Sequence, residues 1–350
     1  MDPILVVVIV TIAVALAFDF TNGFHDAANA IATCVSTNAM KPKAALLMAA
    51  GMNILGAMLG TGVASTIGEG IIDISHYTEA TSHDVRLYGL TIILSALLGA
   101  IVWNLITWWF GLPSSSSHAL IGALAGAGLA SSTVVYWSGI VSHVIIPMVV
   151  SPLIGFFVAF VLMKLVLLLF ANAPYHQTMS RFRFLQRFSA AAMALGHGLQ
   201  DAQKTMGVIV MVLLAAGYHT PQPDGGALVI PLWVKLAAAS AISLGTYFGG
   251  GRIMRTLGTK VIAVTPAHGF VAETTSATVL YLAAYVFHAP ISTTQSVSAA
   301  IMGVGATKRL SAVRWGVAGN IAVAWVLTLP AAAGVAAVCF YILHALIPSM

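Results

Sequence analysis

The sequence predicts an all-α polytopic membrane protein: an inverted 5+5 repeat with discontinuous helices or hairpins. Three observations predict it. Charged residues make up 7% of the 350 positions and hydrophobic ones 59%, against roughly 25% charged in an average soluble domain. The apolar residues gather into ten segments, and two polar motifs recur half a chain apart. So few charges cannot cover a soluble surface of this size, which excludes a soluble globular enzyme, a disordered chain and a nucleic-acid binder. The net charge of +5 then reflects where loops lie relative to a membrane.

Each span needs about 20 apolar residues. In order, the segments are about 4–34, 44–67, 88–110, 113–135, 139–168, 188–217, 231–249, 261–287, 290–306 and 312–346; counting broken helices separately makes twelve. With the N-terminus outside, 12 of the 15 Lys and Arg fall on the inner side: Lys41, Lys43, Lys164, Arg181, Arg183, Arg187, Arg252, Arg255, Lys260, Lys308, Arg309 and Arg314. The outer loop 69–87 carries Glu69, Asp73, Glu79 and Asp84. This is the positive-inside asymmetry, so both termini are expected outside a cell (inner or plasma) membrane. Residues 171–187 read as a basic cytoplasmic linker between repeats 1–170 and 188–350. Cys34 and Cys339 sit apart in apolar runs as small buried hydrophobes. The first apolar run lacks a basic leader and continues into motif residues, so it reads as a retained helix.

The repeat shows in two places. Gly23-Phe-His-Asp-Ala-Ala-Asn matches Gly198-Leu-Gln-Asp-Ala-Gln-Lys, which sets Asp26 and Asp201 175 positions apart. Pro113-Ser-Ser-Ser-Ser-His matches Pro290-Ile-Ser-Thr-Thr-Gln at an offset of 177. Five segments per half is an odd number, so the second half enters the membrane from the opposite side. That is the organisation of many secondary transporters with a midplane site.

Ionisable groups inside a bilayer are costly and are functional candidates by default. Four acids fall in apolar segments: Asp19, Asp26, Asp201 and Glu273. Repeat symmetry can bring Asp26 and Asp201 to one central place, with Asn22, His25, Asn29, Gln200, Gln203 and Lys204 around them. Polar side chains of this kind also tie helices together by hydrogen bonds, the plainer reading for Asp19 and His197. Asp26, Asp201, Asn22 and Asn29 offer the hard oxygens a sodium ion takes, and Glu273 is a candidate carrier of a proton or cation.

The second motif pairs a proline with a hydroxyl run, Ser114 to Ser117 and Ser292 to Thr294. Proline suits the first turn of a helix and Ser or Thr its cap. Each run therefore reads as a helix N-terminus within the membrane. It presents free N–H groups and hydroxyls to a tetrahedral oxyanion without a fixed cation. Ser115, Ser116, Ser117, Ser292, Thr293 and Thr294 are the candidate anion ligands, joined by Gln203 and Asn29. An anion beside two carboxylates would be strongly repelled unless the acids were protonated or a cation lay between. Anion binding becomes linked to cation binding, which is the thermodynamic core of symport.

Together, Asn22-Gly-Phe-His-Asp-Ala-Ala-Asn-Ala-Ile-Ala-Thr, Trp103-Asn-Leu-Ile-Thr-Trp, Gly111-Leu-Pro-Ser-Ser-Ser-Ser-His, Gly196-His-Gly-Leu-Gln-Asp-Ala-Gln-Lys-Thr-Met-Gly, Gly251-Arg-Ile-Met-Arg-Thr-Leu-Gly and Pro290-Ile-Ser-Thr-Thr resemble the inorganic phosphate transporter family, over most of the chain. The resemblance implies phosphate as substrate, Asp26 and Asp201 in cation binding, the hydroxyl runs in phosphate binding, and a homodimer. His25 stands where many members carry Asn, as in bacterial low-affinity permeases that resemble proton-driven carriers of metal-phosphate. Gln200 replaces an Asn and Gln295 a His. Expected, then, are no enzyme activity and no cofactor beyond Na⁺ or H⁺ as coupling ion. The partners are inorganic phosphate (free or as metal-phosphate) and membrane lipid, with no nucleic acid. A sulfate permease of the same fold, an anion channel and a membrane-embedded hydrolase using His118 or His197 are the competing readings.

Overall fold

A computed structural model describes residues 2–78, 80, 82–220, 228–249 and 251–346. In chain order the helices are α1 (Pro3–Ser36), α2 (Pro42–Ala57), α3 (Gly62–Glu69), α4 (Ser75–Thr78), α5 (His83–Trp109), α6 (Ser116–Ala130), α7 (Trp137–Ile140), α8 (Ile146–Leu169), α9 (Tyr175–Ala215), α10 (Leu232–Phe248), α11 (Gly251–Arg255), α12 (Pro266–Tyr285), α13 (Thr293–Ala306) and α14 (Trp315–Leu346). A π-type turn, Val141–Ile145, joins α7 to α8, and another, Thr256–Lys260, follows α11.

Local chemistry sets the starts. Asp2 caps α1 by accepting from the Ile4 N–H at 3.0 Å, with Pro3 and Pro42 at the first turns of α1 and α2. Ser115 and Ser292 cap α6 and α13, accepting from the N–H of His118 and Gln295 at 3.2 Å each. These are the hydroxyl runs, and each opens a helix. The chain reverses into α6 through Gly111, whose φ of +65° suits a residue without a Cβ.

Four helical stretches, Pro3–Ser36, His83–Trp109, Trp137–Leu169 and Trp315–Leu346, are long and apolar enough to cross a membrane, and α2 with α3, bent by 75° at their break, meet the same measure as a pair. Along α8 the side chains of Val149, Leu153, Phe157, Val161, Leu165 and Leu168 all face outward, the surface a lipid phase covers. The fold is thus an all-α membrane fold with several crossings. Helix α1 packs on α10 and α9 on α2; α6 packs on α14 and α13 on α8; α5 with α6, and α12 with α13, form hairpins. At the contacts small residues let backbones meet. Gly23 abuts the Ile242 carbonyl and Gly198 that of Asn53, while Gly126 abuts Ala333 and Gly303 abuts Phe156.

The structure modifies the sequence map in three places. The basic linker is mostly helix, because α9 runs unbroken from Tyr175 for 41 residues. Its Gln, Arg and Met residues are good helix formers, and no Gly or Pro interrupts it before Gly196. Segment 44–67 breaks between Ala57 and Gly62. The segments 113–135 and 290–306 hold helices of only 15 and 14 residues, about 22 Å long against a hydrocarbon core of about 30 Å. They are half-helices that begin inside the protein.

Two apolar cores flank a polar belt. One takes residues up to Phe18 of α1 and from Ala202 of α9; the other starts at Ala28 of α1 and ends at Ala194 of α9. Between them lies the stretch of both helices that carries the motifs.

Candidate anion and cation site

Among the described residues, the buried acids are Asp19, Asp26, Asp201 and Glu273, and Lys204 is the buried Lys or Arg. Asp26 on α1 and Asp201 on α9 do meet. With His197, each brings a ligand atom within 4.8 Å of the other two's. That spacing lets one cation touch all three.

The half-helix starts close over this group. Ser116 Oγ donates to Asp26 Oδ2 at 3.2 Å, and Thr293 Oγ1 to Asp201 Oδ2 at 3.3 Å. Thr294 Oγ1 donates to Asp26 Oδ1 at 3.1 Å and accepts from Asn29 Nδ2 at 2.8 Å; Thr293 accepts from the same amide at 3.4 Å. Lys204 Nζ donates to Asp201 Oδ1 and to Ser117 Oγ. Ser117 in turn reaches the Ile291 carbonyl at 3.3 Å, so the two N-termini face each other. Behind them Gln295 Nε2 lies 3.5 Å from His118 Nδ1. Hydroxyls and the N–H ends of two helices thus share one buried cluster with two carboxyl groups and an ammonium.

His25 Nδ1 lies 2.7 Å from Asp26 Oδ1, and its Nε2 is 3.3 Å from both Thr107 Oγ1 and Ser114 Oγ. His197 Nε2 lies 2.9 Å from Asp201 Oδ2, and its Nδ1 is 3.1 Å from Asn53 Oδ1. Each acid therefore carries an imidazole that is itself oriented by a second polar partner.

Some sequence candidates lie elsewhere. Gln203 is spent on structure: its Oε1 accepts from the Val63 N–H at 2.8 Å, capping α3, and its Nε2 donates to the Leu199 carbonyl. Gln200 Nε2 donates to the carbonyls of Leu280 and Ala289. Asn22 is buried, but neither of its amide atoms has a hydrogen-bond partner. Glu273 stands apart, accepting from Thr33, from Gln186 Nε2 at 3.1 Å and from Ser189 Oγ at 2.5 Å. It ties α12 to α1 and α9. Ser115 and Ser292 spend their side chains as caps.

Two residues were under-read in the sequence. His197 sits one turn before Asp201 on the same face of α9, a spacing that could have marked it. Lys204 supplies the fixed cation that the hydroxyl runs alone do not predict. Thr107 and Ser114, which hold His25, lie within motifs the sequence shows, but nothing there pointed to an imidazole as their partner.

The structure is thus a helical membrane protein whose buried Asp26, Asp201 and Lys204 gather where two half-helices meet, an arrangement that transporters built on broken helices share. The comparisons make it more particular. A model described as the phosphate transporter family matches residues 22–336, and the chain belongs to that family. A "Probable low-affinity inorganic phosphate transporter" of Bacillus subtilis (strain 168) is 44% identical over 346 residues, 98% of this chain and 99% of the relative. One of the same description from Rhizobium meliloti (strain 1021) is 47% identical over 333 residues, 94% of each. A solved structure described as "The sodium-dependent phosphate transporter" superposes with a TM-score of 0.86 at 26% identity, covering 98% of this chain and all of that one. The chain is a multi-pass phosphate transporter, and its relatives are transporters rather than enzymes.

Proposed function

We propose that the chain takes up phosphate by symport with Na⁺ or H⁺, through an alternating-access site formed by the starts of α6 and α13 and the Asp26–Asp201 pair. One observation carries this reading: Ser116 and Thr294 bond Asp26 while Thr293 bonds Asp201. The anion-binding and cation-binding groups are the same cluster. Phosphate takes the hydroxyls of Ser116, Ser117, Thr293 and Thr294, the N–H groups behind the Ser115 and Ser292 caps, and Asn29. The cation takes Asp26 and Asp201.

Electrostatics makes the coupling. Two carboxylates against one ammonium leave the pocket negative, so phosphate enters favourably only with compensating positive charge, and by reciprocity it raises cation affinity equally. Each excess positive charge moved inward gains about 2.3 kcal/mol per 100 mV.

The contact pattern supports an inverted repeat as the device that alternates. Shifted by 175 to 177 positions, Ser116–Asp26 becomes Thr293–Asp201, and Asn29–Thr294 becomes Lys204–Ser117. Gly126–Ala333 becomes Gly303–Phe156 by the same shift. In this reading the α5–α6 and α12–α13 hairpins open on opposite sides, with both termini outside, and two copies pair in the membrane.

Purified protein in liposomes, loaded with labelled phosphate from outside under an imposed Na⁺ gradient and then a proton gradient, tests the reading. One gradient should drive accumulation, and D26N or D201N should abolish it. Accumulation that ignores both gradients, or survives both substitutions, would refute symport at this site. Excess unlabelled sulfate that displaces phosphate one for one would reassign the substrate.

A further inference from the structure

Resting on the symport reading, we infer that Asp19, Asn22, Asn104 and Thr205 form a second cation site, for a small hard monovalent ion of the sodium type. It lies along α1 from the Asp26–Asp201 pair, towards the start of that helix. Asp19 is fully buried, and neither of its carboxylate oxygens has a hydrogen-bond partner. The Thr205 side chain lies close enough to interact with it, and the Thr205 hydroxyl has no hydrogen-bond partner either. Asn22 and Asn104 are equally buried, and both atoms of each amide lack partners. Four buried polar side chains without hydrogen-bond partners are an exception to the rule that buried polar groups are satisfied.

The helix register brings the four together. Asn22 follows Asp19 by three residues and shares its face of α1. Helix α9 runs against α1, because Asp201 meets Asp26 while Thr205, a turn further along α9, reaches back to Asp19. The end of α9 therefore lies at the start of α1, and Arg86 Nη1, donating to the Ala216 carbonyl at 3.0 Å, puts the start of α5 there too. Helices α1 and α5 are thus parallel. With His25 beside Thr107 at 3.3 Å, three residues back on each helix sets Asn22 beside Asn104.

The donor set defines the ion. Asp19, the two amide carbonyls and the Thr205 hydroxyl are hard oxygens, with no imidazole or thiol among them, which suits an alkali ion over a transition metal. A single carboxylate balances one positive charge. Asp201 and Lys204 lie within electrostatic reach, so an ion here also acts on the central pocket. In the repeat the position matching Asp19 is Ala194; this site belongs to the first half alone.

The test measures ²²Na⁺ and labelled phosphate entering liposomes together, for the wild type, D19N and the isosteric T205V. D19N should lower the sodium ions carried per phosphate by one. T205V should raise the half-saturating sodium concentration about tenfold, with the sodium Hill coefficient falling in both. A sodium-to-phosphate ratio and half-saturation unchanged in both variants would overturn the inference. So would a D19N effect confined to the pH profile, which would make Asp19 a proton carrier. If D19N fails to elute as a folded species, T205V and N104A decide by the same readings. Wild-type uptake indifferent to sodium would sink the sodium branch of the symport reading along with this site. Sodium-driven uptake lost in D26N but unaltered in D19N and T205V would sink this site alone.

Discussion

Lys204 offers the sharpest test of how the pocket handles charge. Its ammonium is completely buried and bonded to Asp201 and Ser117, so K204M deletes one positive charge beside a proposed phosphate ligand. A charge-assisted hydrogen bond is worth about 1.5–3 kcal/mol. Two unit charges about 5 Å apart interact by about 3 kcal/mol at an effective dielectric near 20. A loss of about 3 kcal/mol corresponds to a rise of about 100-fold in the half-saturating phosphate concentration. The same substitution frees Asp201 Oδ1 for a cation, so the half-saturating cation concentration should fall. Opposite movements of the two constants are the signature. Removing one member of a buried pair also costs roughly 3–5 kcal/mol of stability, so K204M should elute in part as aggregate in detergent. The double variant K204M/D201N should recover folding but not uptake. Labelled phosphate uptake into liposomes at stepped phosphate and cation concentrations, beside size-exclusion profiles, reads all of this. Well-folded K204M with a phosphate half-saturation within threefold of the wild type would refute the reasoning.

Three further outcomes follow from other parts of the fold. In E273Q an amide replaces a carboxyl group that accepts from Thr33, Gln186 and Ser189, and its NH2 faces at least one of those donors. Stability should fall by about 2 kcal/mol, seen as a lower melting temperature and slower uptake at an unchanged phosphate half-saturation, since Glu273 lies outside the Asp26–Asp201 group. G303V pushes side-chain atoms into the Phe156 carbonyl, and overpacking of about 1–3 kcal/mol or more should separate α13 from α8; an unchanged thermal melt would contradict that contact. In the loop between α3 and α4, bonds from the Ser75 hydroxyl and N–H hold the Asp73 carboxyl below its ordinary range. A depressed folded-state value stabilises above the unfolded one and is lost as pH falls through it. The melting difference between wild type and D73N should therefore be small, because the group is only partly buried, constant near neutrality, and gone only in strong acid.

How much of this was legible in the sequence depends on the kind of signal. Long apolar runs found α1, α5, α8 and α14, because burial in lipid demands continuous hydrophobicity. The pairing of Asp26 with Asp201 was legible because the motif occurs twice. The start of helix α9 is not marked by hydropathy, since its first turns are polar. The structural bonds of Gln203 were hidden for a different reason. Its position beside Asp201 suggested the pocket, but the orphan N–H groups at the start of α3 lie 140 residues away in sequence and claimed its side chain. Glu273 was legible as a buried acid and not as a separate one, because nothing local reveals that Thr33 and Ser189 converge on it.

On the proposed alternating mechanism, the differences between the two matching halves of the sequence matter. Were the two halves identical, a carrier alternating by exchanging their conformations would have equal energies facing in and facing out. The substitutions between halves break that equality where charge is handled: Lys204 stands where the first half has Asn29, Gln200 where it has His25, Ala194 where it has Asp19, and Gln295 where it has His118. The ammonium sits on the Asp201 side and clamps Ser117, a residue of the first hairpin, whereas Asn29 clamps Thr294 of the second with a neutral amide. The bond between α9 and the first hairpin is therefore the stronger of the two, and breaking it costs more than breaking its mate. An empty carrier should rest with the α5–α6 hairpin held against α9. Replacing Asn29 by Lys in a K204N background would move that preference to the other hairpin. Cysteine accessibility on the two faces of the pocket would show the reversal, and equal labelling in both variants would refute this account of the asymmetry.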